Sequence, residues 1–270
     1  MTDQLTKCAK FAELHQAQDA WVIPNPWDVG SAKILEGLGF EALATTSSGF
    51  AYTLGRVDGE VSLEEKLQHC RAISSATGIP VNADFENGFS DDIKDMAANI
   101  SRLVETGIAG CSIEDYSRDL HRLYEFSEAV ERVQAAAEAI ADTGIPILLT
   151  ARAENLLRGV DDPQDTLSRL QAYSDAGADV LYAPGIKTLE LLQQFTSELN
   201  KPFNVLASFM PGATVEQYSQ AGANRISVGG ALNYAAVNPL LVAGKEMLEP
   251  GRFSWLTQMA NSAEVRKLLK

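Results

Sequence analysis

Residues 77–86 read TGIPVNADFE. The glycine ends a helical pattern, residues 79–81 form a short apolar run, and polar side chains then occupy every second position, at Asn82, Asp84 and Glu86. Side chains two positions apart on a strand point to the same side. The stretch therefore predicts a helix end, a buried strand, and three polar groups sharing one side at the carboxyl end of that strand.

The same local pattern recurs along the chain. An amphipathic stretch, a glycine and an apolar run follow one another at Gly39, Gly78, Gly107, Gly144, Gly177 and Gly222. Each glycine is typical of a helix C-cap, and continuous apolar runs are typical of parallel strands buried on both faces. The predicted strands are 21–25, 42–46, 79–84, 109–114, 146–152, 178–183, 203–207 and 225–229.

Eight strand–helix units in one chain predict a (β/α)8 TIM barrel of the α/β class. We expect residues 1–270 to form one barrel domain, with 250–270 as a C-terminal helical extension. A doubly wound open sheet is the alternative. Such a sheet usually begins with a glycine-rich phosphate turn after its first strand, whereas residues 24–28 read PNPWD.

Composition narrows the possible partners and location. The formal net charge is −14, from 36 acidic and 22 basic residues, without a Lys/Arg cluster. We therefore expect neither a nucleic-acid nor a membrane partner. Cys8, Cys70 and Cys111 are widely separated, which argues against disulfides and structural zinc. Without a signal-like start or a long apolar run, the sequence predicts a cytoplasmic protein.

Acidic residues follow three successive predicted strands. Asp84 ends one, Glu114 and Asp115 end the next, and Arg152 and Glu154 follow the third. Because the carboxyl ends of barrel strands meet at one mouth, these carboxylates repel one another unless a cation or proton lies among them. We interpret the group as a hard divalent metal site beside an arginine that binds an anion. Surface salt bridges are the alternative for any single acid.

Other kinds of catalysis are not favoured. No predicted strand ends in lysine, the three histidines lie away from the strand ends, and Cys111 lies early on its strand. Schiff-base and cysteine-nucleophile chemistry are therefore disfavoured. The segment Thr46–Gly49, which follows strand two, offers hydroxyl and backbone N–H groups that suit a carboxylate.

Several motifs, taken in order, resemble the isocitrate lyase and phosphoenolpyruvate mutase superfamily. They are NPWD after strand one, TSSG at 46–49, GRVD at 55–58, NADFENG at 82–88, IED at 113–115 and AR at 151–152. No single motif is decisive, but their order and spacing together are specific. They lie between residues 25 and 152.

The resemblance implies a Mg²⁺-dependent barrel (Mn²⁺ being a possible substitute) that binds a small anionic carboxylate substrate such as a 2-oxo acid. It assigns metal binding to Asp58, Asp84 and Glu114, with catalytic roles for Arg152 and Asp58. It assigns substrate binding to Thr46, Ser47, Ser48, Gly49 and Arg152. It also implies a homo-oligomer, a tetramer or dimer, in which a terminal helix is exchanged between subunits.

Two departures from the family pattern narrow the function. The acidic segment commonly reads Asp-x-Asp, but here it begins with Asn82, and Glu86 is expected to compensate as a further metal ligand. The loop at 116–122 reads YSRDLHR and lacks the cysteine of isocitrate and methylisocitrate lyases. We therefore expect a carbon–carbon lyase, of the decarboxylase or retro-aldol type, acting on a smaller 2-oxo or 2-hydroxy acid through an enolate.

Two alternatives stay open. One is C–P chemistry of the phosphoenolpyruvate mutase or phosphonopyruvate hydrolase type; the other is a barrel that binds a 2-oxo acid without turnover, because a fold does not guarantee chemistry. The apolar residues in 253–269 either pack on their own barrel or on a partner subunit.

Overall fold

A computed structural model describes residues 3–270 of the chain. Eight parallel strands form one sheet. They are β1 (Trp21–Ile23), β2 (Leu43–Ala44), β3 (Val81–Asp84), β4 (Gly110–Glu114), β7 (Leu148–Arg152), β8 (Val180–Tyr182), β9 (Phe203–Leu206) and β10 (Arg225–Ser227). All eight predicted strands are present, and each is shorter than predicted. Five of them end one or two residues early, at the mouth of the barrel, whereas β3, β4 and β7 end as predicted and begin one or two residues late.

The sheet curls into a nearly closed barrel. Its hydrogen-bonded order is β1-β10-β9-β8-β7-β4-β3-β2, with β1 and β2 at its two edges. The Ala44 N–H donates to the Pro24 carbonyl at 3.0 Å across this seam. Asn25 accepts from the Val228 and Gly229 N–H groups at 2.9 Å, which ties the ends of the first and last strands together. The predicted (β/α)8 barrel is therefore confirmed.

Helices follow the strands and surround the barrel. They are α2 (Val29–Gly37), α3 (Ser47–Thr53), α4 (Leu63–Ala76), α5 (Ile93–Val104), α6 (Phe126–Thr143), α7 (Pro163–Asp175), α8 (Leu189–Glu198), α9 (Val215–Gln220) and α10 (Ala231–Leu248). The apolar face of α5, with Met96, Ile100 and Leu103 fully buried, shows why these segments pack on the sheet. Of the six glycines predicted to end helices, all but Gly78 have positive φ.

An unpredicted first helix, α1 (Gln4–Leu14), lies across the amino-terminal end of the barrel. Its Lys7 Nζ donates to the Ser74 and Thr77 carbonyls at 2.6 and 2.7 Å, where α4 ends. Its Phe11 is fully buried and stacks edge-on with Trp21, the first residue of β1. This end of the barrel is therefore closed, which leaves the carboxyl end for a site.

Two further features lie outside the regular pattern. A short hairpin of β5 (Tyr116–Ser117) and β6 (Arg122–Leu123) stands between β4 and α6. After α10, a 3₁₀ turn (Ser254–Gln258) leads to α11 (Ser262–Leu268), which packs against α2 of the same chain. In residues 3–270 there is no helix long and apolar enough to cross a membrane.

Candidate active site

A cavity of about 400 Å³ opens at the carboxyl ends of the strands. Its wall is polar and draws on most of the barrel strands. Residues that line it include Asn25, Thr45, Thr46, Ser47, Ser48, Asp58, Asn82, Asp84, Ser112, Arg118, Arg152, Arg158, Tyr182, Asn204, Arg225 and Ser227. This is the position at which active sites occur in barrels of this kind.

Asp84 lies between Arg152 and the segment Thr46–Gly49 that follows β2, here called the strand-two segment. One carboxylate oxygen accepts from the Ser47 N–H at 3.0 Å, and the other accepts from Arg152 at 3.3 Å. Burial opposes ionisation of Asp84, but the positive charges of Arg152, Lys66 and Arg118, together with the Ser47 N–H, lower the Asp84 pKa. Asp84 is therefore a carboxylate at neutral pH, at the carboxyl end of β3.

The strand-two segment lies beside Asp84. Thr46, Ser47 and Ser48 line the cavity, and the Thr46 and Ser48 hydroxyls are 3.2 Å apart. Gly49 lies behind this surface, where its N–H donates to the Thr46 hydroxyl at 3.3 Å. A side chain at Gly49 would come within 2.6 Å of the Thr46 side chain, so the close packing of this first turn of α3 depends on glycine.

Arg152 is held by carboxylates on three sides. Its guanidinium is 2.6 Å from Glu154 and 3.3 Å from both Asp84 and Glu114. The Glu114 and Glu154 side chains are almost fully buried. Burial alone lowers the Arg152 pKa, but Glu154 and Glu114 raise it well above the usual value. Arg152 is therefore a permanent, oriented cation in the cavity wall.

Glu86 and Glu114 lie behind this wall and do not line the cavity. Burial raises the pKa of Glu86 to about 7. Burial, together with Glu154, raises the pKa of Glu114 to about 8. The prediction that Asn82, Asp84 and Glu86 share one side holds for the first two only, because β3 ends at Asp84 and Glu86 takes a left-handed φ of 52°.

Arg118, at the tip of the hairpin, joins several loops of the mouth. It lies 3.3 Å from Asp58, on the loop after α3, and 3.2 Å from the buried Glu86. It also approaches Glu114 at 3.8 Å. Gly59 has a φ of +92°, and a Cβ there would come within 2.5 Å of the Arg118 guanidinium, so glycine allows the loop to close on this side chain.

The predicted metal ligands are only partly brought together. No group of three Asp, Glu, His or Cys side chains within residues 3–270 is arranged to hold a metal ion. Mg²⁺, however, usually keeps several waters and uses one or two protein carboxylates. Asp84 and Asn82 both line the cavity, and the buried Asn82 Oδ1 has no hydrogen-bond partner. These two oxygen donors fit a Mg²⁺ ion held mainly through water and substrate.

The other predicted residues differ in position. Asp58 lies at the rim with its side chain 44% exposed, whereas Glu86 and Glu114 are shielded from the cavity by arginines. Sequence reasoning did not assign a role to Arg158, which pairs with Glu154 at 2.9 Å, or to the fully buried Lys66, whose Nζ is 3.3 Å from the Thr45 hydroxyl. Both arise from helices or loops, where a lysine or arginine gives no distinctive sequence signal.

The chain is similar to known proteins over most of its length. The family model of phosphoenolpyruvate phosphomutase matches residues 11–248. A crystal structure of a candidate lyase/mutase from Burkholderia cenocepacia J2315 superposes with a TM-score of 0.94 and 40% identity, covering 98% of this chain and 95% of that one.

Relatives with named activities are also similar. Oxaloacetate decarboxylase 2 of Pseudomonas fluorescens (strain Pf0-1) is 28% identical over 83% of this chain and 78% of its own length. The 2-methylisocitrate lyase of Aeropyrum pernix is 27% identical over 78% of this chain and 70% of its own length. The prediction of an enzyme of the lyase and mutase type is confirmed at the level of the family. The chain belongs to the phosphoenolpyruvate mutase family.

Proposed function

We propose that this protein is a Mg²⁺-dependent carbon–carbon lyase that acts on a small 2-oxo or 2-hydroxy acid, with oxaloacetate as the first substrate to test. The proposal rests on the position of Arg152 in the wall of a small polar cavity. Its guanidinium is a cation held in place by Asp84, Glu114 and Glu154. Support comes from relatives named oxaloacetate decarboxylase.

In the proposed reaction, the Thr46 and Ser48 hydroxyls bind the carboxylate next to the 2-oxo group, since both line the cavity beside Asp84. Asp84 and Asn82 would hold Mg²⁺, and the bound ion would supply Lewis-acid polarisation of the 2-oxo acid. With oxaloacetate, cleavage of the bond between C3 and C4 releases CO₂ and leaves the bonding electron pair on the enolate of pyruvate. A proton from solvent, taken up at C3, then gives pyruvate. Arg152 stabilises the enolate oxygen, because its guanidinium is oriented before the reaction begins.

Other residues of the site shape its environment. The ion pair between Arg118 and Asp58 holds the β5–β6 hairpin against the loop after α3 at the mouth of the barrel. This contact limits the access of water to the enolate. The catalytic role that we propose for Asp58 is therefore to hold this contact at the rim of the cavity. Glu86 and Glu114 act behind the wall by fixing Arg118 and Arg152.

We also propose that the protein is a cytoplasmic homo-oligomer. All three cysteines are buried free thiols, which suits a reducing compartment. Leu240, Leu241 and Leu248 of α10 are 70%, 55% and 87% exposed, an unusual amount of apolar surface along one helix. A second subunit that packs on α10 would bury these side chains and make a dimer or tetramer.

The test is release of pyruvate from oxaloacetate, measured with and without Mg²⁺ and after chelation, and corrected for decarboxylation by the free metal ion. Mg²⁺-dependent release above that background supports the proposal. Turnover of phosphonopyruvate instead would favour C–P chemistry, which the description of the matching family model supports. Tight binding of 2-oxo acids without turnover of either compound would indicate a binding protein.

A further inference from the structure

Lys66 is a buried positive charge behind the wall of the cavity. It is the fourth residue of α4, and it is 0% exposed. Its Nζ donates to the Thr45 hydroxyl at 3.3 Å, and Thr45 lines the cavity. The same hydroxyl oxygen accepts from the Asp84 N–H at 2.9 Å. Lys66 is therefore connected through a single side chain to Asp84, the carboxylate to which we assign the metal.

The surroundings of this ammonium group do not balance its charge. Among residues 3–270, no carboxylate oxygen lies within 4.0 Å of the Lys66 Nζ, and Thr45 is its one hydrogen-bond acceptor. An ammonium group that loses its hydration without gaining an opposite charge is costly to bury. The N-terminal end of α4 adds to this cost, because a helix carries a partial positive charge there. Lys66 is therefore a source of positive potential and not half of an ion pair.

Positive charge also faces Asp84 from another side. The Asp84 carboxylate is 3.3 Å from Arg152. Burial raises the Asp84 pKa, and the charges of Arg152 and then Lys66 are the largest effects that lower it. The second oxygen donor that we assign to the metal, Asn82, is neutral. One carboxylate that already faces two cations is a weak site for a free divalent cation, because each of these cations repels the metal ion.

A metal ion that arrives with the substrate meets a different balance. A 2-oxo acid brings its own carboxylate and oxo oxygens as ligands, and its negative charge is attracted by the same cations that repel the free metal ion. The complex of Mg²⁺ with a dianion is neutral, so one nearby charge changes its affinity little. Lys66 should therefore weaken the binding of free Mg²⁺, strengthen the binding of a free dianion and leave the binding of their complex almost unchanged.

We propose that Lys66 sets the order in which the site is filled: it keeps free Mg²⁺ out, so that the ion enters after the anionic substrate or together with it. Lys66 does not line the cavity and acts through the potential that it creates at Asp84. The inference rests on the proposed function for the metal and for the acidic ligand, and it adds how the two are loaded.

The test measures binding by calorimetry with oxalate, a stable dianion whose adjacent oxygens match those of a bound 2-oxo acid. Metal-free protein is titrated with Mg²⁺ alone, with oxalate alone and with an equimolar mixture of the two. Lys66→Met keeps the length of the side chain and removes its charge. This variant should bind Mg²⁺ alone about tenfold or more tightly and oxalate alone about tenfold or more weakly, with a change of less than about threefold for the mixture.

The opposite signs of these two changes identify the charge as their cause, because a structural defect would weaken the binding of both ligands. Lys10→Met is the matched control, since Lys10 is a partly exposed lysine of α1 that pairs with Glu41 at the other end of the barrel. All of its affinities should equal those of the wild-type protein. Mg²⁺ that binds elsewhere on the acidic surface is subtracted with the help of Asp84→Asn, which lacks the proposed metal ligand.

The wild-type protein provides a check that does not depend on folding of the variants. Oxalate should bind the metal-free protein more tightly than Mg²⁺ binds the protein without oxalate. The reverse order, binding of neither ligand, or an unchanged affinity of Lys66→Met for Mg²⁺ alone overturns the inference. Since oxalate is not turned over, the expected affinities without release of pyruvate from oxaloacetate would count against the proposed function alone.

Discussion

Replacement of Arg152 by alanine tests the central residue of the proposed mechanism. The change removes the guanidinium that contacts Asp84, Glu114 and Glu154, at distances of 3.3, 3.3 and 2.6 Å. Loss of one preorganised donor to a developing oxyanion typically lowers the rate by about 10²–10³. We expect a decrease of this size in kcat for pyruvate release from oxaloacetate.

The same change is expected to reduce stability. Glu114 and Glu154 are 1% and 0% exposed, and they keep only Arg118 and Arg158 as charged partners once Arg152 is gone. Breaking a buried ion pair by removing one partner costs about 3–5 kcal/mol. Urea unfolding measures this loss in the free energy of unfolding. Because part of the variant is then unfolded, its kcat is expressed per folded molecule.

Two variants make the result interpretable. Arg102→Ala removes an exposed arginine that pairs with Glu64, so its free energy of unfolding should change by less than about 1 kcal/mol and its kcat should be unchanged. Arg152→Lys keeps a positive charge but lacks the planar group that reaches several carboxylates. If Arg152→Ala turned over oxaloacetate at the wild-type rate per folded molecule, Arg152 would have no part in the mechanism.

Three further predictions concern pH, metal binding and assembly. Burial raises the folded-state pKa of Glu86 to about 7, so between about pH 4.5 and 7 the folded protein holds a proton on Glu86 that the unfolded chain has lost. The free energy of unfolding therefore falls as the pH rises through this range. Glu86→Gln should abolish this part of the pH dependence in urea unfolding, and the same pH dependence in the variant and the wild-type protein would contradict the assignment. Asn82→Asp should tighten Mg²⁺ binding by about tenfold or more, since one added charge near a divalent ion contributes at least ~1–2 kcal/mol; calorimetry checks this, and unchanged affinity would place the metal away from position 82. Leu240→Glu should shift the oligomer toward monomer in sedimentation experiments, and a monomeric wild-type protein would refute the proposed assembly.

The fold was largely predictable because its pattern is local. The glycines at 39, 107, 144, 177 and 222 adopt the left-handed conformations expected of helix ends, and an apolar strand follows each one. Helix α1 was not predicted, since nothing in the sequence before β1 shows that it covers the end of a barrel. The sequence predicts only a loop at 116–122, because the strands of the β5–β6 hairpin have two residues each and leave no strand pattern.

The site was predictable in part. Asp84 and Arg152 are the last residues of β3 and β7, and Asn82 lies two positions before Asp84 on the same strand. Their positions toward the carboxyl end of a strand are visible in the sequence. Glu86 shows the limit of this reasoning. Its place behind the cavity wall follows from a left-handed turn after Asp84 and from Arg118, a residue that comes from a different loop.

The sequence by itself determined the alternation of strands and helices, because helix ends and buried strands are encoded by neighbouring residues. This alternation in turn determined the barrel and the end of the barrel at which the charged residues lie. Only the tertiary structure decided which charges meet. Arg118 reaches Asp58 across 60 positions of sequence, and Arg225 reaches His15 across 210. Such pairings depend on how the barrel closes in three dimensions.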